Sequence, residues 1–591
     1  MYYLMYLRGS ILSFSVYMLN HHHTTKISAF HRLCCFILLY KLKGCLFGTH
    51  SYNMAVVTAV VLSDPLLFIG ASGALALMGA CLYFIWDILI VPLRSPLRHL
   101  PSPDQGSVLF RLLAEPRIPE IEKWIDEIPN SGLIRYFGAF NRERIFITSP
   151  AAAKDLLYTE AYKFVKPELQ HILAANIAGE GLLIQEGQEH KLARKNFQPA
   201  FHADRVRQGY PSMWETATDT VKSLSEQKSK TVLGDGRSTT HQSVRIIRLI
   251  SAASIDIIGH WGFGTDFDVV KNPKPGFGRS YIEMFKTTER GQQALTLAAM
   301  IGPKIFMSLP FRAAKTIGGV MALVRRTAEQ IVEDHEKAFQ IAEKSDKQRQ
   351  CVSDDMLTRI MKTNHFSHQG LVEQTVHFLA AATETVAGSI CWTLHLLSRH
   401  PDMQSRLRAE IREHLPSPTE ANLAGLINES DFDRMKYLNA VIQEVLRYHS
   451  INTLLWRDAV EHATIGETHI PKGTKVVFSP WALNRDPQHW GPDSRLFNPE
   501  RWLRDDDGSG GADHSYSFLT FGAGPRRCIG EQYARAQMRC ILAALIGRFE
   551  FVPVCPEKGS DEGQEIGDNA ALTLFKILDG WQIKVKELEG W

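Results

Sequence analysis

At 591 residues, with 45% hydrophobic and 22% charged side chains, the chain has the composition of a folded globular protein and not of a disordered, collagenous or many-span membrane chain. Sixty-six basic against 63 acidic residues leave +3, too little for a molecule selected as a whole to bind nucleic acid. Nine scattered cysteines with no C-x-x-C pair exclude zinc ribbons and disulfide scaffolds, and fit a reducing compartment.

In chain order, residues 1–53 read as a leader or a gene-model extension. MYYLMYLRGSILSFSVYML is interrupted by Arg8, CCFILLY is too short to cross a bilayer, and Met54 opens a conventional anchor sequence. The triplet His21-His22-His23 falls in this segment and is not taken as a metal site. Residues 54–100 hold the membrane anchor: Leu66 to Trp86 carries no charge over about the twenty residues that a bilayer core requires. Arg94 and Arg98 follow, so the rest of the chain is expected on the cytosolic side. Pro92, Pro96, Pro101 and Pro103 read as a stiff connector that ends the helix. A cleaved secretory signal is the weaker alternative, because no short apolar region with a small-residue cleavage site stands out.

Residues 101–591 form one continuous body without repeats. Helical patterning covers 150–162, 187–200, 243–261, 317–344, 370–399, 402–414, 434–449 and 530–548, with short β-like runs at 133–136, 144–147, 463–465 and 475–478. The pattern predicts a mostly α (α+β) domain. Two polar stretches, 226–241 and 504–515, read as surface loops. Asn428-Glu429-Ser430 is a glycosylation sequon whose use a cytosolic position disfavours.

The richest signal is Phe521-Gly-Ala-Gly-Pro-Arg-Arg-Cys-Ile-Gly530, running into a helical pattern. A cysteine at a helix start meets the positive end of the macrodipole, which favours its thiolate as a soft metal ligand. Gly522, Gly524 and Gly530 permit sharp turns and close approach to a flat cofactor, and Arg526 is placed to meet a carboxylate. A cysteine after a glycine-rich turn is by itself more often structural. The full F-x-x-G-x-R-x-C-x-G string resembles the haem-binding signature of the cytochrome P450 family of haem-thiolate monooxygenases, and matches at every defining position. The resemblance extends over roughly residues 100–585. It implies a single large helical domain with small β-sheets after an N-terminal transmembrane helix, and haem b with Cys528 as axial ligand, the loop residues Phe521, Gly524, Arg526 and Gly530 around it.

Other segments share the resemblance. Glu444 and Arg447 lie i, i+3 on one helical face, which alone signifies little; with Arg501 of FNPERW they resemble the family's buried network beneath the haem. In the long helix, Ala381-Ala382-Thr383-Glu384-Thr385 resembles the oxygen-activation motif, with Glu384 and Thr385 as an acid–alcohol pair, although Ala382 stands in place of the usual glycine. A threonine in such a helix ordinarily bonds the carbonyl one turn back, here that of Ala381. Arg194 and Arg457 match propionate-binding arginines, and His190 stands where relatives often carry tryptophan.

Together these imply insertion of one oxygen atom of O2 into a hydrophobic small molecule by an enzyme of the endoplasmic reticulum membrane, and the resemblance to fungal members implies a place in secondary metabolism. No flavin- or dinucleotide-binding fingerprint is recognisable, so electrons are expected from NADPH through a separate reductase, docking near Arg526, Arg527, Arg535, Arg539, Lys191 and Lys195. Substrate contacts are expected from 164–183, from the surroundings of Ala381 and Thr385, and from 451–456. The alternatives are a haem-thiolate isomerase or dehydratase, which would need neither NADPH nor O2, and a non-catalytic haem sensor.

Overall fold

The computed structural model describes residues 65–111, 116, 118–168, 171, 175, 179–235, 242–272, 276–284, 312–344, 353–418, 427–504, 508–554 and 581–591. Residues 1–53, with the histidine triplet, lie outside the described residues. The chain divides into two compact units, one of Met1–Arg98 with Phe140–Arg142, the other of His99–Ala139 and Glu143–Trp591.

In the first unit, helix α1 (Pro65–Ile85) does not stop at the expected end of the apolar run. It continues through a π-turn at Trp86–Ile90 into Val91–Arg94. Pro92 therefore lies inside a helix and not in a connector. It falls in the first turn after the π segment, where its missing N–H and fixed φ are tolerated. Ala76–Arg94, with mean hydropathy 2.0, is the one stretch among the described residues long and apolar enough to cross a membrane. Leu77, Leu82, Tyr83 and Leu93 are exposed, whereas Ile88 and Pro92 are buried. Asp87 pairs with Arg142 at 2.7 Å, and Asn141 Nδ2 donates to the Ile88 carbonyl at 2.6 Å.

The second unit is mostly helical with three small sheets. Its main elements are α2 (Ile118–Glu127), β1 (Leu133–Gly138), β2 (Arg142–Ile147, shared with the first unit), β3 (Phe164–Val165), α3 (Gly187–Phe197), α4 (Tyr210–Asp235), β4 (Gln242–Val244) and α5 (Ile247–Phe263). There follow α6 (Arg312–Lys344), α7 (His368–Arg399), α8 (Pro401–His414), α9 (Lys436–Tyr448), β5 (Leu455–Ala459), β6 (Ala463–Ile465), β7 (Thr468–Ile470), β8 (Lys475–Phe478), α10 (Glu531–Arg548), β9 (Phe549–Pro553) and β10 (Ile583–Glu587). One sheet has the order β1-β2-β8-β5-β3, with β2 and β8 parallel; β4-β10-β9 and β6-β7 make the others.

The core lies where α7 packs on α5 and α6, and α10 on α4 and α8. Ala253, Ile390, Leu394, Leu397, Ile541 and Leu545 are fully buried there. Each such leucine or isoleucine contributes about 1.5–3 kcal/mol on leaving water. Helix α7 is capped by Ser367, whose hydroxyl accepts from Gly370 N. Thr375, Thr383, Thr385, Ser389 and Thr393 each return a hydroxyl hydrogen bond to the carbonyl one turn back.

The stretch 226–241 departs from its expected loop: residues through Asp235 continue α4, and 236–241 lie outside the described residues. Glu226, Gln227 and Lys228 are good helix formers, and an established helix extends at less cost than a new one nucleates. Residues 508–515 are turns and bends, as their glycines require.

Candidate active site

The cysteine loop is shaped by two glycines with left-handed backbone. Gly522 has φ 66° and Gly524 φ 65°. A Cβ on Gly524 would fall 2.0 Å from the Leu157 carbonyl oxygen, so this glycine is required by packing as well as by its turn. Gly530, with φ −91°, meets neither demand, and the nearest atom to a Cβ there would be on Phe201 at 3.9 Å. Arg527 N donates to the Gly524 carbonyl at 3.0 Å, and Cys528 N to that of Phe521 at 2.8 Å. Phe521 itself packs against the core and under the Arg535 guanidinium.

Cys528 precedes the N-cap residue Gly530, and α10 begins at Glu531. Its residue surface is accessible although protein atoms surround it on most sides. Burial pushes the thiol up, outweighing a hydrogen bond from the Gly530 backbone and the nearby Arg194 and Arg527. Cys528 stands two residues before the N-cap Gly530, whose backbone hydrogen bond favours the thiolate. A bound metal cation would supply the missing stabilisation.

A cationic cluster lies beside this loop. Arg526 donates through Nη1 to the Ala161 carbonyl at 2.5 Å, pairs through Nη2 with Glu186, and stacks over Tyr162 at 4.8 Å. Its Nε is buried with no partner among the described residues. Glu186 Oε1 also accepts from Lys166 N at 3.1 Å and Nζ at 2.9 Å. Burial pushes the Glu186 carboxyl up, but Lys166 and Arg526 outweigh it and leave it lowered. Lys166 is pushed down to about 8 by burial, against the pull of Glu186. Arg457, buried on β5, gives Nη1 to the Trp456 carbonyl at 2.7 Å; burial first and Arg526 second lower it to about 10. His190 on α3 is buried, its Nδ1 3.2 Å from the Tyr162 hydroxyl, and burial with the nearby cations lowers it to about 4, so it is neutral at physiological pH. Arg194, one turn on, donates to the Arg527 carbonyl at 2.5 Å.

Glu186 and Tyr162 are not singled out by the sequence, and Lys166, which falls in the stretch 164–183 expected to contact substrate, is paired with Glu186. No local spacing connects them, because the chain between β3 and α3 intervenes.

Glu444, Arg447 and Arg501 meet in a second, closed network. Arg447 is fully buried and uses all five of its N–H groups: Nε and Nη2 on Glu444 at 2.8 and 2.7 Å, and the rest on the carbonyls of Asn484, Ser494 and Leu496. Glu444 also accepts from Asn498 N at 2.8 Å and Trp502 Nε1 at 2.9 Å. Arg501 Nε lies 3.4 Å from Glu444, and its Nη2 pairs with Asp493 at 2.9 Å.

Midway along α7 the burial pattern breaks. Ala381 is exposed, and Ala380, Ala382, Glu384 and Thr385 are half-buried, within a helix otherwise buried on both sides of this point. The Thr385 hydroxyl donates to the Ala381 carbonyl at 2.7 Å. Glu384 Oε1 has no hydrogen-bond partner among the described residues, and burial pushes this carboxyl up to about 8. Tyr281 and Cys391, themselves buried, feel its charge.

The expected docking cations separate. Arg535 pairs with Glu531 and Gln443; Arg539 bonds Asn439, Tyr210 and Asp433; Arg526 faces Glu186. Arg527, Lys191 and Lys195 remain exposed.

The donor set fits an iron porphyrin. Cys528 offers a soft sulfur ligand. Lys166 and Arg526 share Glu186 as their carboxylate partner, Arg457 feels the same charge without bonding it, and Arg194 spends a bond on the Arg527 carbonyl, which leaves positive charge and an unused Arg526 Nε–H for the carboxylates of a bound group.

The family model for cytochrome P450 matches residues 132–569. Among curated relatives, cytochrome P450 monooxygenase sphH of Aspergillus fumigatus is 33% identical over 86% of this chain and 91% of its own length. Cytochrome P450 monooxygenase FSL4 of Gibberella zeae is 31% identical over 86% and 92%, and ALT8 of Alternaria alternata 31% over 91% and 98%. With a match across most of the chain and relatives of nearly full length, the chain belongs to the cytochrome P450 family of haem-thiolate monooxygenases.

Proposed function

We propose that Cys528 would ligate the haem iron through its thiolate, that Arg194, His190, Arg457 and Arg526 would hold the haem carboxylates, and that Glu384 and Thr385 manage protons. The under-partnered cationic cluster next to the accessible Cys528 carries this reading. Haem bound through a thiolate supplies reductive activation of O2 with heterolytic O–O cleavage.

The remaining work falls to this chain's side chains. Glu384 holds its proton at neutral pH, because burial raises it to about 8. Thr385 can accept through its oxygen while its hydrogen bonds the Ala381 carbonyl, and can donate only by rotating away from that bond. No hydrogen bond joins Thr385 to Glu384 Oε1, so a proton passing between them needs a bridging water or a rotamer change. Such an acid–alcohol pair suits oxygenation, and an isomerase or dehydratase has no use for it. The accessible apolar surface at Leu183 and Ala381 selects a lipophilic substrate. A place in fungal secondary metabolism accords with the fungal monooxygenases among its relatives. The apolar helix would hold the protein in the endoplasmic reticulum membrane as a single pass, with an NADPH–cytochrome reductase as electron donor.

One pair of variants tests the assignment. The reduced carbonyl complex is expected to show the far-red-displaced Soret band, which Cys528→Ser abolishes together with turnover. Thr385→Ala keeps the band and diverts electrons from product to peroxide. Retention of the band in Cys528→Ser, or unaltered coupling in Thr385→Ala, contradicts the corresponding role.

A further inference from the structure

Glu186 occupies the N-cap position of α3 but caps nothing: its side chain makes no hydrogen bond to that helix. An N-cap residue ordinarily satisfies one of the first free N–H groups. Here the carboxylate is turned the other way, onto Lys166 through both backbone and side chain, and onto Arg526. The side chains of Lys166 and Arg526 are only 14% and 8% exposed, so the three charges interact with little screening by water. Arg526 lies two residues before Cys528. Its guanidinium is fixed on three sides, by Glu186, the Ala161 carbonyl and the Tyr162 ring, and its Nε–H has no partner among the described residues.

We infer that Lys166 and Glu186 form a charge-setting dyad that positions Arg526 and sets the reduction potential of the iron held by Cys528. The inference rests on the reading that Arg526 binds a haem carboxylate. Glu186 is a negative charge in direct contact with the group that neutralises that carboxylate, and Lys166 offsets it from the far side. An electron added to the iron is opposed by the anion and favoured by the cation. Removing one charge therefore moves the potential in the opposite sense from removing the other. A purely structural role has no such sign rule: loosening the loop from either end would move the potential the same way.

Full-length holoprotein in detergent micelles, titrated by spectroelectrochemistry, provides the test. Glu186→Gln is expected to shift the ferric/ferrous potential to more positive values, and Lys166→Met to more negative ones. The double variant Lys166→Met/Glu186→Gln, which removes both charges at once, is expected to stay near the native potential, and serves if either single variant fails to hold haem. Shifts of the same sign, no shift, or a double variant displaced as far as a single one would overturn the dyad. The underlying reading is checked separately by haem transfer to apomyoglobin. Arg526→Gln should lose haem about tenfold faster, as expected for one charge-assisted hydrogen bond. Unchanged haem loss there removes the reading and the dyad with it; faster loss without opposite shifts removes the dyad alone.

Discussion

Arg447 and Arg457 are both buried arginines ten residues apart in sequence, yet their surroundings differ in kind. Arg447 spends every N–H on Glu444 and three backbone carbonyls. Arg457 gives Nη1 to its neighbour's carbonyl and shares the field of Glu186 with other cations. A buried charge whose partners are all supplied by the protein stabilises a scaffold; one left short of anions is arranged for a ligand that brings them. Burial alone does not separate the two roles, whereas the census of partners does.

The contrast is open to direct attack. Glu444→Ala strands Arg447 in the core and should cost about 3–5 kcal/mol of stability, read as a collapse of folded yield or a large fall in the denaturation midpoint with or without haem. Arg457→Gln should do the reverse. The apoprotein keeps its midpoint within about 1 kcal/mol, since an under-paired cation has been removed, while haem is lost roughly tenfold faster. If both variants unfold alike, or both release haem alike, the distinction fails.

Glu384 extends the comparison to a buried group with no partner on Oε1. Its carboxyl is raised to about 8, so the folded state keeps a proton that the unfolded chain releases above its ordinary value. Stability linked to this group is therefore whole below the unfolded value and declines as pH rises toward 8. Glu384→Gln should abolish that decline, making the variant more stable than the native protein by about 2–4 kcal/mol at pH 8, with the difference vanishing near pH 4.5. Parallel stability curves would show that the carboxyl titrates normally.

The smallest effect is expected on the surface. Lys191→Glu with Lys195→Glu, both exposed on α3, should slow reductase-supported turnover a few-fold and weaken its salt dependence, leaving peroxide-supported turnover unchanged. Equal losses in both assays would place these lysines outside electron-donor contact.

Much of the scaffold is legible in the amino-acid order because helices such as α7 and α9 carry their apolar positions at helical spacing, and because the cysteine loop combines glycines, a basic residue and a thiol in a specific string. What is not legible follows from contacts between distant segments. The spacing of Arg535 and Arg539 on α10 places them near the cysteine loop but does not reveal that Glu531, Gln443, Asp433 and Asn439 cover them. Lys166 and Glu186 acquire meaning only when the turn after β3 meets the start of α3. Residues 226–235 look like a loop because they are polar, yet polarity does not oppose a helix whose nucleus already exists. Pro92 shows the converse error: a helix breaker is harmless once a π-turn has reset the hydrogen-bond register ahead of it.

Gly524 lies with its backbone against the Leu157 carbonyl, Arg526 reaches Ala161 and Glu186, and Arg194 reaches the carbonyl of Arg527. The three hydrogen bonds, Arg194 to Arg527, Arg526 to Ala161 and Arg526 to Glu186, close loops of 333, 365 and 340 residues, linking early translated turns to a segment made much later. Until the ribosome has delivered that late segment, the early half of the pocket has neither its sulfur nor its remaining guanidinium. On the proposed assignment, iron porphyrin capture waits until the chain has been made past Cys528, and a nascent chain stalled before residue 524 should bind none.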